Sequence, residues 1–216
     1  MQTPGALIFD FDGVIIESVE IKNQAMARIF EDDPQHTAAI LDLNERMGGI
    51  SRVVKFQEVY RTILHRSVTQ AELDAHAVRF RRLVIDEVIA CPWVPGALEF
   101  LTKNSTSRPL FLLSGTPHLE LEEVVDARNL RQYFTEVHGS PPGKPETVRS
   151  ILTRHNLAVR DVTLIGDAPL DQEAARATGI EFIGRVVLGQ PSPFPPGTHT
   201  IRDLRELEEA LAIAII

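Results

Sequence analysis

The chain has a single cysteine, Cys91, among 216 residues. No internal disulfide can form, so packing alone must hold the fold, and a reducing compartment is expected. The setting "IACPW" holds no histidine, and Cys91 is expected to be a buried thiol, not a nucleophile. Basic residues are outnumbered, 22 Lys and Arg against 30 Asp and Glu, for a formal charge of -8. Non-specific nucleic-acid binding needs a basic face, so that class is set aside. No stretch approaches the ~18 consecutive apolar residues that suggest a membrane span. No charged segment followed by an apolar run and a small-residue cleavage site opens the chain. The seven histidines lack a metal-ligand spacing such as HExxH and are assigned to surface or core. A soluble cytoplasmic protein with no nucleic-acid or membrane partner is the expectation, either a monomer or a homodimer.

What is present is a substantial apolar fraction, 44%, enough for a large core. Ala6 to Phe11 is short and apolar up to Asp10, the pattern of a strand buried on both faces. From about Glu17 to Ala90 the period becomes helical. Ile21, Ala25, Met26, Ile29 and Phe30 share one face, as do Val53, Phe56, Val59, Tyr60, Ile63 and Leu64. "TQAE" at Thr69–Glu72 reads as a capping box that opens a long helix. After "CPWVPG" helices and strands alternate: a helix from Pro95 through Leu101, strand "PLFLLS", helix "HLELEEVVDARNL" and a short strand near "FTEVHG". Then come helix "KPETVRSILTRHN", strand "DVTLIGD", helix "LDQEAARATG", "IEFIGRV", and a final helix closing on "LAIAII".

Such alternation predicts an α/β fold, a doubly wound, Rossmann-like parallel sheet with helices on both faces. The helical block falls where a connection of about 4–6 residues is usual. It is therefore read as an inserted, all-helical cap at 17–90, with 1–16 and 91–216 forming the core. Pro92, Pro95 and Gly96 mark the return to the core, and the other hinge lies near Val14 to Ser18. "GQPSPFPPGT" is proline-rich but short enough for a surface loop.

In a parallel sheet all strand C-terminal ends meet at one edge, where ligands bind. Asp10 and Asp12, Ser114, Lys144, and Asp167 with Asp171 all fall at such ends or just beyond them. Two bare carboxylates about 4 Å apart repel by about 4 kcal/mol at an effective dielectric near 20. A divalent cation relieves this, and an all-oxygen donor set suits Mg²⁺. Ser114 is suited to bond a phosphoryl oxygen, and Lys144 to neutralise charge as it develops. An aspartate is also a credible nucleophile toward phosphorus.

The series "DFDGV", "LLSGT", "GKPE" and "GDAPLD", in that order, resembles the haloacid dehalogenase-like superfamily over essentially the whole chain. The similarity is to the branch with a helical cap after the first strand, the phosphoglycolate phosphatase and beta-phosphoglucomutase type. The resemblance implies Asp10 as nucleophile and Asp12 as general acid and base. Ser114 and Lys144 become holders of phosphate and nucleophile, and Asp167 with Asp171 the metal-side acids. In the family Mg²⁺ is also met by the first aspartate and by the backbone carbonyl of the second, here Asp10 and Asp12. An acid at position 12 favours a phosphate ester, whose alcohol leaving group needs a proton. Three positions depart from the family pattern: Gly115 where asparagine is frequent, Ala168 where serine or threonine is frequent, and Glu17 where many members carry aspartate.

Substrate choice is assigned to the cap. "GGISR" places Arg52, with Lys55 one turn on, as candidates to meet a distal anionic group, alongside Ser114 and Gly115 at the phosphate. Arg79, Arg81 and Arg82 form a second basic cluster. The resulting expectation is a Mg²⁺-dependent phosphatase of a small phosphorylated metabolite, a phosphosugar or a phosphorylated small acid. A phosphosugar mutase is the nearest alternative, and a non-catalytic binding protein of the same fold a more distant one.

Overall fold

A computed structural model of the chain describes residues 5–213. β1 (Ala6–Asp10) is the central strand, and every residue in it is buried. Helices follow β1: α1 (Val19–Ile29), α2 (Thr37–Arg46), α3 (Arg52–Thr62) and α4 (Gln70–Ala90). The alternating part then runs α5 (Ala97–Asn104), β2 (Leu110–Pro117), α6 (His118–Ala127), β3 (Glu136–Ser140), α7 (Lys144–Arg154) and β4 (Val162–Gly166). It ends with α8 (Pro169–Thr178), β5 (Glu181–Arg185), β6 (Thr200–Ile201) and α9 (Leu207–Ile213). Residues 214–216 of the apolar C-terminal stretch lie outside the described residues.

The strands form one six-stranded sheet in the order β3-β2-β1-β4-β5-β6, with parallel pairing throughout. The doubly wound α/β class expected from the alternation is therefore the observed one. Alternate residues of β1 feed two apolar layers, as the two-residue strand period requires. Leu7 and Phe9 pack with Leu101 of α5, Leu121 and Val125 of α6, and Leu207 of α9. Ala6 and Ile8 pack on the other face with Val148 and Ile151 of α7 and Ala174 and Ala175 of α8. The first layer continues without a break into the helical insert, through Met26, Ile40, Phe56, Val84 and Val88.

The capping box is formed: the Thr69 hydroxyl accepts from the Glu72 N–H, and Glu72 accepts from the Thr69 N–H at 2.7 Å. Two details differ from the sequence reading. β2 does not stop at Ser114 but runs on to Pro117, with a register irregularity after Leu113. The helix read as beginning at Pro95 begins at Ala97, because Gly96 takes a left-handed conformation (φ 80°) just before it. Cys91 is buried, as expected, at the end of α4. Arg128 draws that end in by donating to the carbonyls of Val88, Ile89 and Cys91.

Candidate active site

Register brings the motifs together. Asp10 stands opposite Leu113, so Ser114 follows at the same edge, and Phe9 stands opposite Ile165, which puts Asp167 just past the end of β4. Lys144 opens α7, and Asp171 lies in the first turn of α8, where its Oδ2 accepts from the Ala168 N–H at 3.2 Å.

The Lys144 ammonium bridges two buried carboxylates. Its Nζ is 2.6 Å from Asp10 Oδ1 and 2.5 Å from Asp171 Oδ1. Asp10, Asp167 and Asp171 each offer an oxygen within 4.8 Å of the others. The close approach of Asp167 depends on Gly13: with φ at 71°, a Cβ there would fall 2.1 Å from Asp167 Oδ2. Burial pushes the Asp10 carboxyl up to about 7; Lys144 opposes this, while Asp171 and Asp12 add to it. Burial, then Asp10 and Asp171, hold Asp167 well above the usual carboxylate range. Burial acts against the charge on Lys144, but Asp10 and Asp171 outweigh it and raise the ammonium above its ordinary value. This is an oxygen-only cluster carrying more acid than base, and its donor chemistry fits a hard divalent cation such as Mg²⁺.

The Asp12 carboxylate is turned away from that cluster. Its Oδ1 accepts from Ser18 Oγ at 2.6 Å and meets Lys22 Nζ at 2.6 Å. Its Oδ2 accepts from Ser114 Oγ at 3.2 Å and Thr116 Oγ1 at 3.3 Å. Burial acts to raise Asp12, but the Lys22 charge and the bonds from Lys22, Ser18 and Ser114 leave it below the ordinary value. Asp12 is not among the carboxylates grouped with Asp10.

The loop between α2 and α3 lies over this edge. A Cβ on Gly115 would be 2.3 Å from the Gly49 carbonyl oxygen, and one on Gly48 would be 2.9 Å from the Ala168 Cβ. Two of the three departures from the family pattern thus sit directly under the insert. The third, Glu17, accepts from Arg185, which also donates to the Gly13 carbonyl at 2.9 Å. Lys55 donates to the Asn44 carbonyl and side-chain oxygens at 3.1 and 2.9 Å. Burial and the neighbouring Lys22 charge bring its ammonium down to about 8, and Asp12 and Asp167 are near enough to oppose that.

Arg52 has a protein partner on α6. Its Nη2 bonds Glu120 Oε1 at 2.5 Å, and both side chains are buried. The second basic cluster is largely surface pairing: Arg79 meets Glu31, and Arg81 meets Glu123. Sequence reasoning missed Lys22, Ser18 and Thr116. Lys22 carried a signal, since it lies on the stripe of Met26 and Ile29, an ammonium where an apolar side chain is due.

The haloacid dehalogenase-like hydrolase model matches residues 7–185. The chain belongs to that family. It is 27% identical over 218 residues to a phosphorylated carbohydrates phosphatase of Thermotoga maritima, covering 98% of this chain and 93% of the relative. It is 30% identical over 183 residues to a phosphoglycolate phosphatase of Synechococcus elongatus, covering 81% and 80% of the two chains. A Bacillus subtilis HAD-family structure described as bound to magnesium shares the fold, with a TM-score of 0.72, 16% identity, and coverage of 98% of this chain and 100% of that one. The enzyme class expected from the motifs, a phosphoric monoester hydrolase, agrees with the names of both curated relatives. No helix among the described residues is long and apolar enough to cross a membrane.

Proposed function

We propose that this hydrolase is a cytoplasmic, Mg²⁺-dependent phosphatase of a small phosphorylated metabolite, a phosphosugar or a phosphorylated small acid, acting through an aspartyl-phosphate on Asp10. The observation that carries the reading is the Asp10 carboxylate, buried at the end of β1, bonded to Lys144 and grouped with Asp167 and Asp171. The phosphatase relatives support it.

Asp10 attacks phosphorus in line, and the bond to the alcohol oxygen breaks as Asp12, which enters this step protonated once a donor such as Lys22 has yielded, gives that oxygen its proton. Asp12 then takes a proton from the water that cleaves the aspartyl-phosphate, which frees phosphate and restores the Asp10 carboxylate. Ser114 and the Gly115 backbone hold phosphoryl oxygens, while Lys144 keeps Asp10 oriented and offsets its charge. Asp10, Asp167, Asp171 and the Asp12 carbonyl would hold Mg²⁺, which when bound supplies the positive charge that lets carboxylates and phosphate share the site. Residues 17–90 serve as a cap over the core of 1–16 and 91–216, excluding water and ordering the reactants. Lys55 is the cap cation directed at the rest of the substrate.

The test is phosphate release from a broad phosphomonoester panel, with Mg²⁺ and with chelator. Release that needs the cation and disappears in Asp10→Asn is the expected result. No release from any ester would overturn the phosphatase reading, and turnover persisting in Asp10→Asn would overturn the nucleophile.

A further inference from the structure

Arg52 opens α3 close to the carboxylate edge. The carbonyl carbon of Ile50, two residues earlier, is 3.4 Å from where a Cβ on Gly115 would lie. Lys55, three residues later, is near enough to sense Asp12 and Asp167. Yet the Arg52 guanidinium is already occupied. It bonds Glu120, in the first turn of α6, at 2.5 Å; both side chains are only 7% exposed. Its Cζ lies 4.7 Å from the centre of the Phe80 ring.

We propose that Glu120 is a specificity-determining residue: by neutralising Arg52 it withdraws an arginine from the substrate's far end, so the site prefers phosphomonoesters whose remainder carries no second phosphate. A desolvated, charge-assisted guanidinium–carboxylate pair is a strong and geometrically defined contact. A second phosphate on the substrate would have to take Arg52 from a carboxylate already in place. It would also leave that carboxylate buried and unpaired beside it. Lys55 remains available. Two of its three donors are spent on Asn44, and the third has no partner among the described residues. One ammonium donor suits a hydroxyl or a single carboxylate better than a phosphate dianion, which offers several acceptor oxygens.

This inference rests on the phosphatase reading and gives it a substrate charge. It is tested with two ester pairs that differ by one phosphate: 3-phosphoglycerate with 2,3-bisphosphoglycerate, and fructose 6-phosphate with fructose 1,6-bisphosphate. The quantity read is the ratio of kcat/KM, bisphosphate over monophosphate. Glu120→Gln, which frees Arg52, is expected to raise the ratio at least tenfold. The double variant Arg52→Gln with Glu120→Gln leaves neither member of this pair charged and is expected to return the ratio to that of the unsubstituted protein. A ratio unmoved in a folded Glu120→Gln protein overturns the inference. Should that variant not fold, the double variant decides alone. A ratio well below that of the unsubstituted protein would mean that Arg52 does serve the substrate, and the inference falls. Absence of phosphate release from every ester by the unsubstituted protein takes down the phosphatase reading itself, and this inference with it.

Discussion

The carbonyl oxygen of Gly49 occupies the space that a side chain on Gly115 would fill, 2.3 Å from the position of its Cβ. The α2–α3 loop and the carboxylate edge meet here backbone to backbone. Gly115→Asn, which supplies the side chain frequent in the family, should push the Gly48–Ile50 segment off the edge. Overpacking of this kind costs about 1–3 kcal/mol. The expected outcome is a fall of about tenfold or more in kcat/KM, with Tm dropping by about 2–4 °C for each kcal/mol of that cost. Steady-state kinetics and a melting curve check it together.

Lys22 is the ionic link from the insert to the proposed acid–base carboxylate. A carboxylate offers about four lone-pair sites, and Asp12 has Ser18, Lys22, Ser114 and Thr116 upon it. One of these donors must yield before Asp12 can reach a leaving-group oxygen or a water. Lys22 also accompanies the insert and donates to Thr116 at 2.9 Å. Lys22→Met is expected to lower kcat by about ten- to a hundredfold, with Lys22→Arg restoring part of it. An unchanged kcat in Lys22→Met would remove Lys22 from the chemistry.

The carboxylate cluster makes a pH prediction whose sign follows from linkage. Asp10 binds its proton more tightly folded, at about 7, than unfolded, where the ordinary carboxylate value is 3.8. A raised acid destabilises the folded state progressively as pH climbs from about 4 to about 7, since the folded state then holds more protons than the unfolded one. Cation-free protein should therefore lose Tm between about pH 5 and 7. Mg²⁺ should restore it increasingly over the same range. A loss of about 1 kcal/mol corresponds to about 2–4 °C for a chain of this size. Glu136, held down to about 2 with bonds from Arg154, His155 and His138, loses its contribution only below about pH 4.5, outside that window. A Tm that rises with pH in chelator would contradict this account.

A stability control lies far from the chemistry. Thr69→Ala removes the hydroxyl half of the box that opens α4. Loss of such a cap costs about 1 kcal/mol, so Tm should drop by about 2–4 °C. Catalytic constants at 25 °C should stay as they were.

Much of this was legible because it is local. β1 announced itself through an apolar run uninterrupted on both faces, and α4 through the Thr69 and Glu72 spacing. The acids at strand ends could be collected at one edge because a parallel sheet leaves no other place for them. What stayed hidden is what depends on partners remote in the chain. Arg52 and Glu120 are 68 positions apart, and nothing beside either one names the other. Thr116 was passed over because the strand was read as ending at Ser114, whereas it runs on to Pro117. β6 has two residues, too few to carry a period; it is placed by its pairing with β5 and by the burial of Ile201 in the core.

The position of β1 has a further consequence, for the order of assembly. This strand is made before the rest of its sheet, yet Leu7 finds its neighbours in Leu110 and Thr163. Long-range parallel pairing is slow, because loop-closure entropy must be met before any contact rewards it. The helices of the insert can form early, each from its own neighbours, and so shorten the path between β1 and β2. Synthesis of β4 then closes the other flank. The segment that covers the carboxylate edge in the finished protein is thus also the segment whose early folding brings that edge's first two strands within reach of each other.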